Sequence, residues 1–150
     1  MTAQEQWRLE AINVVDCVEW HAAAGFAEYG VKPGFAVVEN ESRLFHFAPR
    51  YLLAINHQGT TPAVAAAAKA VAIDVNGKWR GYRLHGSGAR KVLAAGAHAD
   101  LVLNGRECAA LSLFDCPVVL LRVADADEMW VPASYAESLC HALNKMERKL

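Results

Sequence analysis

The chain has 150 residues, 54% of them hydrophobic and 21% charged, which suits one domain or two small halves sharing a core and excludes a disordered chain. Fifteen Lys and Arg against sixteen Asp and Glu give a net charge of −1; no basic field is left for a nucleic-acid backbone or an anionic membrane, and neither is expected as a partner. The low-charge stretch at 59–68 is too short to span a bilayer, and the N-terminal sequence lacks the basic start and apolar run of a secretory signal, so a cytoplasmic location is expected.

In chain order, residues 7–15 predict a first strand. Asp16 followed three residues later by Glu19 has the spacing of a capping box, which predicts a helix over 17–29 stopped by Gly30. A turn at Lys32-Pro33-Gly34, a strand at 35–38 and a polar hairpin connection at 39–42 follow. Strands at 43–47 and 51–56 flank Ala48-Pro49-Arg50, where proline removes a donor. Thr61-Pro62 reads as an N-cap with proline at the first helical position, and the alanine-rich run predicts a helix over 63–72. Asn76-Gly77 marks a turn before a strand at 78–84. Gly86-Ser87-Gly88 then leads into a helix over 89–97. Strands are predicted at 101–103, 107–113 and 118–123, with the acidic run Asp125-Ala126-Asp127-Glu128 as a solvated hairpin tip before a strand at 129–131. Ser134 with Glu137 repeats the capping box and predicts a closing helix over 135–149. The fold class is therefore α+β, with antiparallel sheets and packed helices. The order of elements repeats, which divides the chain into similar halves at about 7–73 and 74–150.

Chemistry-bearing motifs are few. Cys17, Cys108, Cys116 and Cys140 contain no Cys-x-x-Cys, and the adjacent pair Cys140-His141 points about 100° apart on a helix, so no metal site is expected. Gly86-Ser87-Gly88 lacks the third glycine of a dinucleotide fingerprint, Lys91 standing in its place, and reads as a turn. No two histidines lie at i, i+3 or i, i+4. His46, between Phe45 and Phe47, is expected on the opposite strand face, toward solvent or a partner. No set of nucleophile, base and oxyanion donors is evident, so no catalytic residue is assigned. Trp79-Arg80-Gly81-Tyr82-Arg83 mixes aromatics with guanidinium groups as interfaces do. Trp79, Arg80, Tyr82 and Arg83, with Arg122, are the candidate residues for contact with a partner or ligand.

Several of these runs carry a family resemblance. Asp74-Val75-Asn76-Gly77-Lys78-Trp79 followed by Tyr82-Arg83-Leu84-His85-Gly86, the helix Ala89-Arg90-Lys91-Val92-Leu93-Ala94, the exit Asp100-Leu101, and Pro117–Arg122 with Val131-Pro132-Ala133-Ser134-Tyr135-Ala136 resemble, in order and spacing, the gamma subunit of heterotetrameric sarcosine oxidase. Phe47-Ala48-Pro49-Arg50-Tyr51-Leu52-Leu53 is similar to an element of its first half. The resemblance implies a fold like part of the folate-binding region of glycine cleavage T-proteins. It also implies an accessory role beside larger flavin- and folate-binding subunits, which carry FAD, FMN, NAD and tetrahydrofolate and oxidatively demethylate an N-methyl or secondary amine. The gamma subunit itself supplies no catalytic residue. The alternative is a stand-alone protein of the T-protein type that holds folate in a cleft between its halves, with Arg80, Arg83 and Arg122 meeting the glutamate carboxylates. An isolated chain is also free to self-associate.

Overall fold

In a computed structural model of the chain, the residues described are 6–29, 34–97, 108–124 and 126–149. The strand predicted at 101–103, the turn at 32–33 and Asp125 lie outside them. Among the described residues, ten strands and three helices run in the order β1 (Arg8–Ile12), β2 (Cys17–His21), β3 (Phe35–Glu39), β4 (Ser42–Ala48), β5 (Tyr51–Ile55), α1 (Ala63–Ala67), β6 (Val71–Asp74), β7 (Trp79–His85), α2 (Ala89–Ala97), β8 (Cys108–Leu113), β9 (Cys116–Val123), β10 (Ala126–Pro132) and α3 (Ala133–Lys149). A 3-10 turn at Ala27–Tyr29 follows β2. The class is α+β with two antiparallel five-stranded sheets, of order β1-β7-β10-β9-β8 and β6-β2-β5-β4-β3.

Three apolar clusters stack the molecule into layers. Phe45, Leu53 and Ile55 of the second sheet meet Trp130, Val119, Leu121 and Trp79 of the first, so the two sheets face each other. The opposite face of the first sheet buries Leu84, Leu120, Met129 and Val131 under Val92 and Leu93 of α2 and Leu139 and Leu143 of α3. Leu52 on the outer face of the second sheet packs with Ala22 and Phe26, beside Val64 of α1. Alternation along each strand sends one set of side chains between the sheets and the other outward.

The helix predicted over 17–29 is β2, paired on one side with β5 and on the other with β6. The residues that would have capped it have other partners. Asp16 accepts hydrogen bonds from the backbone N–H groups of His57 (3.1 Å) and Gln58 (2.9 Å). Glu19 accepts one from Lys78 Nζ at 2.9 Å. Two ladders of backbone hydrogen bonds, joined to a β-branched Val18 and an aromatic Trp20, outweigh helix preferences of a few tenths of a kcal/mol per residue.

The helix predicted over 63–72 ends at Ala67, and its N-cap is Pro62 rather than Thr61, with no side-chain cap. Lys69 enters the left-handed region at φ 53°, and the β-branched Val71 and Ile73 pair with β2 as β6. So short an alanine helix is marginal unless packed, and it yields to the strand. α3 begins at Ala133, ahead of the predicted Ser134 cap, with the Ala133 N–H donating to the Lys78 carbonyl at 2.6 Å.

The two sheets have the same internal order once the leading strands are exchanged: β2-β5-β4-β3 corresponds to β7-β10-β9-β8, with β6 on the first and β1 on the second. The correspondence divides the chain ahead of β6 rather than within it. β1 thus binds the two parts of the chain together, pairing Arg8 with His85 and Glu10 with Arg83 on β7.

Candidate functional site

β7 carries four of the five residues singled out in the sequence, and its alternation separates them. Trp79 is buried between the sheets beside Trp130 and Val119, and Arg83 projects to the same side. Arg80 and Tyr82 take the opposite face. Arg80 is exposed, its Nη1 donating to the carbonyls of Gly77 and Trp79 at 3.1 and 3.2 Å. Tyr82 packs into the layer beneath α2 and α3, and burial, then Cys140, push its hydroxyl up to about 12. Arg122, on β9, donates to both oxygens of Asp127 across the strand pair at 3.0 and 2.9 Å. The structure therefore brings Trp79 and Arg83 to one side of the sheet and leaves Arg80, Tyr82 and Arg122 on the other.

Gly81, between them on β7, is where the backbone must come close to a neighbour: a Cβ there would lie 2.5 Å from the Trp130 ring, which is fully buried. The gap that glycine leaves lets Trp130 lie flat on β7 and reach Phe45 of the other sheet edge-on, ring centroids 5.9 Å apart.

The densest polar cluster centres on Glu128, a residue read from the sequence as part of a solvated hairpin tip. Asp127 and Glu128 instead lie inside β10, and Glu128 is 0% exposed. Arg43 of β4, 2% exposed, grips it with two parallel bonds, Nε to Oε1 at 2.9 Å and Nη2 to Oε2 at 2.7 Å. Arg83 Nε adds a bond of 3.0 Å, and Trp130 Nε1 another of 3.1 Å. Burial pushes the Glu128 carboxyl up, but the hydrogen bonds and charges of Arg43 and Arg83 outweigh it and hold the group below the usual carboxylate range. Arg83 also donates from Nη1 to Glu10 of β1 at 3.1 Å and from Nη2 to Glu41 at 3.0 Å. The carboxylate side of this cluster is saturated and ionised, so Glu128 takes up no proton near neutrality. Its work is to join β10, β7 and β1 of one sheet to β4 of the other.

A second buried carboxylate, Glu19, pairs with Lys78 at 2.9 Å and with His21 at 3.3 Å, while the His21 ring meets Tyr51 edge-on at 5.2 Å. Burial raises the Glu19 carboxyl, but Lys78 and His21 outweigh it and the net shift is downward. His46, expected to face solvent or a partner, is buried against Phe26 with ring centroids 6.0 Å apart.

The Gly86-Ser87-Gly88 turn holds the N-terminal segment, the Gly88 N–H donating to the Gln6 carbonyl at 3.0 Å. Cys17, Cys108, Cys116 and Cys140 are free thiols, the first three buried; burial pushes Cys17 and Cys108 up to about 11. Among the described residues, no group of three His, Cys, Asp or Glu is placed to hold a metal, and no helix is long and apolar enough to cross a membrane.

An open cleft of about 600 Å³ lies on the inner face of the first sheet, lined by Trp79, Val119, Pro117, Pro132 and Tyr135 among others. The arginines expected to meet the carboxylates of a folate do not gather there. Arg83 and Arg122 are already paired with carboxylates of this chain, and among the described residues no arginine lines the cleft.

Comparison of the sequence with protein-family models and with curated proteins finds no match in either. The fold does match a solved structure. A chain of heterotetrameric sarcosine oxidase from Corynebacterium sp. U-96, in complex with pyrrole 2-carboxylate, superposes with a TM-score of 0.73 over 95% of this chain and 84% of that chain, at 21% identity. This chain and that one share a fold over most of their length.

Proposed function

We propose that this chain is the gamma-type accessory subunit of a sarcosine-oxidase-like complex, packing against larger subunits that oxidatively demethylate an N-methyl or secondary amine and pass the one-carbon unit to tetrahydrofolate. The observation that carries the reading is the likeness, over 95% of this chain and 84% of the other, to a chain of a heterotetrameric oxidase. The family motifs in the sequence point the same way. In this reading FAD, FMN, NAD and tetrahydrofolate reside in the partner subunits, the complex is cytoplasmic, and the fold is related to the folate-binding region of T-proteins.

The way the chain uses its polar residues supports an accessory role. Arg43, Arg83 and Arg122, with Glu128, Glu10 and Asp127, tie strands to one another, so these ionisable groups are committed to rigidity rather than aimed at a substrate. A rigid two-sheet body with an outward-facing surface is what a structural subunit needs.

Omission tests the reading. Producing the complex with this chain deleted is expected to lower the yield and thermal stability of the larger subunits and, with them, amine oxidation. A fully active, equally stable complex lacking the chain would overturn it.

A further inference from the structure

We infer that the outer edge of β6 is a self-pairing interface, taken by β6 of a second copy of this chain in an antiparallel arrangement. β6 closes one side of its sheet, and all four of its residues are exposed, Val71 at 65% and Ile73 at 47%. An open edge with β-branched residues and no proline is a template for another strand.

The molecule contains its own control. In the exchange of leading strands, β1 occupies in one sheet the place that β6 occupies in the other. β1 sets Arg8 opposite His85 and Glu10 opposite Arg83. β6 sets Val71 opposite His21 and Ile73 opposite Glu19. Corresponding positions on the two edges therefore hold charges on β1 and bare aliphatic side chains on β6. Charge on an edge strand guards it against pairing; β6 lacks that guard at Val71 and Ile73.

The sequence of the edge fits a copy of itself. A two-fold axis perpendicular to the sheet, midway between Ala72 and Ala72 of the second copy, places Val71 opposite Ile73 of the second copy, and Ile73 opposite its Val71. Two β-branched cross-strand pairs form on one face, with the two small Ala72 residues facing each other across the axis. The same antiparallel run brings the exposed Lys69 before the strand toward the exposed Asp74 that ends it in the other copy, so the flanking charges are complementary as well. A four-residue edge is shorter than a standard interface requires, and the dimer is accordingly weak and concentration-dependent. The inference does not depend on which larger chains the protein joins.

Sedimentation equilibrium of the full-length chain, from micromolar to sub-millimolar concentration, tests it. The wild type is expected to show a monomer–dimer equilibrium. Ile73→Glu, which copies the charge of Glu10, is expected to weaken dimerisation about tenfold or more, or about 1.4 kcal/mol. Val37→Glu, on the equally exposed far edge strand β3, is expected to leave it unchanged. Amide exchange on the wild type, which needs no variant to fold, is expected to slow across 71–74 as concentration rises. A chain that stays monomeric throughout, a dimer that Ile73→Glu does not weaken, or exchange at 71–74 that ignores concentration would overturn the assignment.

Discussion

Glu128→Gln keeps the shape of the side chain but leaves the Arg43 guanidinium, 2% exposed, facing a neutral amide. Removing one partner of a buried pair costs about 3–5 kcal/mol because the remaining charge is stranded, and chemical denaturation at neutral pH is expected to show a loss of that size. The pH dependence has a defined sign. The Glu128 carboxyl lies below its ordinary 4.5 in the fold, so its contribution is fully present above the unfolded value and fades as pH falls through the lower folded value. Thermal unfolding followed from neutrality into the range below 4.5 is expected to show a steep acid limb in the wild type and a shallower one in the variant. Gly81→Ala is the second test at this scale: the new methyl meets the immobile Trp130 ring, and a loss of about 1–3 kcal/mol is expected in the same denaturation assay. Of the residues in this cluster, the sequence offered Arg83 and missed Glu128, because a run of three acids beside a glycine-free turn looks solvated when read locally. The signal that was available is the number of arginines within strands: Arg43, Arg83 and Arg122 all demand carboxylates at strand depth, and the run at 125–128 follows directly on the strand that holds Arg122.

The elements divide by whether their cue was local. α2 spans Ala89–Ala97 as predicted, since a glycine turn and a helix-forming run specify it within nine residues. β3, β4, β5 and β7 follow from alternation and turn residues. β2 and β6 do not, because their strand character comes from one another and from β5 across 30 or more residues, and the local capping-box and alanine cues pointed to helix. Lys69 is the hinge between the two outcomes. A left-handed φ of 53° at a non-glycine residue costs about 1 kcal/mol, so Lys69→Gly is expected to raise the melting temperature by a few degrees despite its greater unfolded-state entropy. An unchanged or lower melting point would mean that the α1–β6 junction is not strained. Thiol chemistry gives an independent check of the layers: Cys140, on the half-exposed face of α3, is expected to alkylate well before Cys17 and Cys108, whose thiols burial holds at about 11.

At the scale of the whole molecule, the α+β class was readable from element order, but the repeat read there counted a helix over 17–29 where the chain forms β2. The exchange of β1 and β6 between the sheets was not readable, since nothing in the composition of a five-residue strand states which sheet will accept it. The ion cluster around Glu128 explains why the exchange holds: Glu10 on the exchanged β1, Arg83 on β7, Glu128 on β10 and Arg43 on β4 form one connected set, so both sheets are fastened at the point where the leading strand crosses over. A rigid body of this kind suits the accessory role proposed above. The most direct measurement is affinity purification of the tagged chain from its native host, with native mass spectrometry and a visible absorption spectrum of the eluate. The account predicts larger, flavin-coloured chains arriving with this one in fixed stoichiometry; a colourless eluate containing only this chain would contradict it.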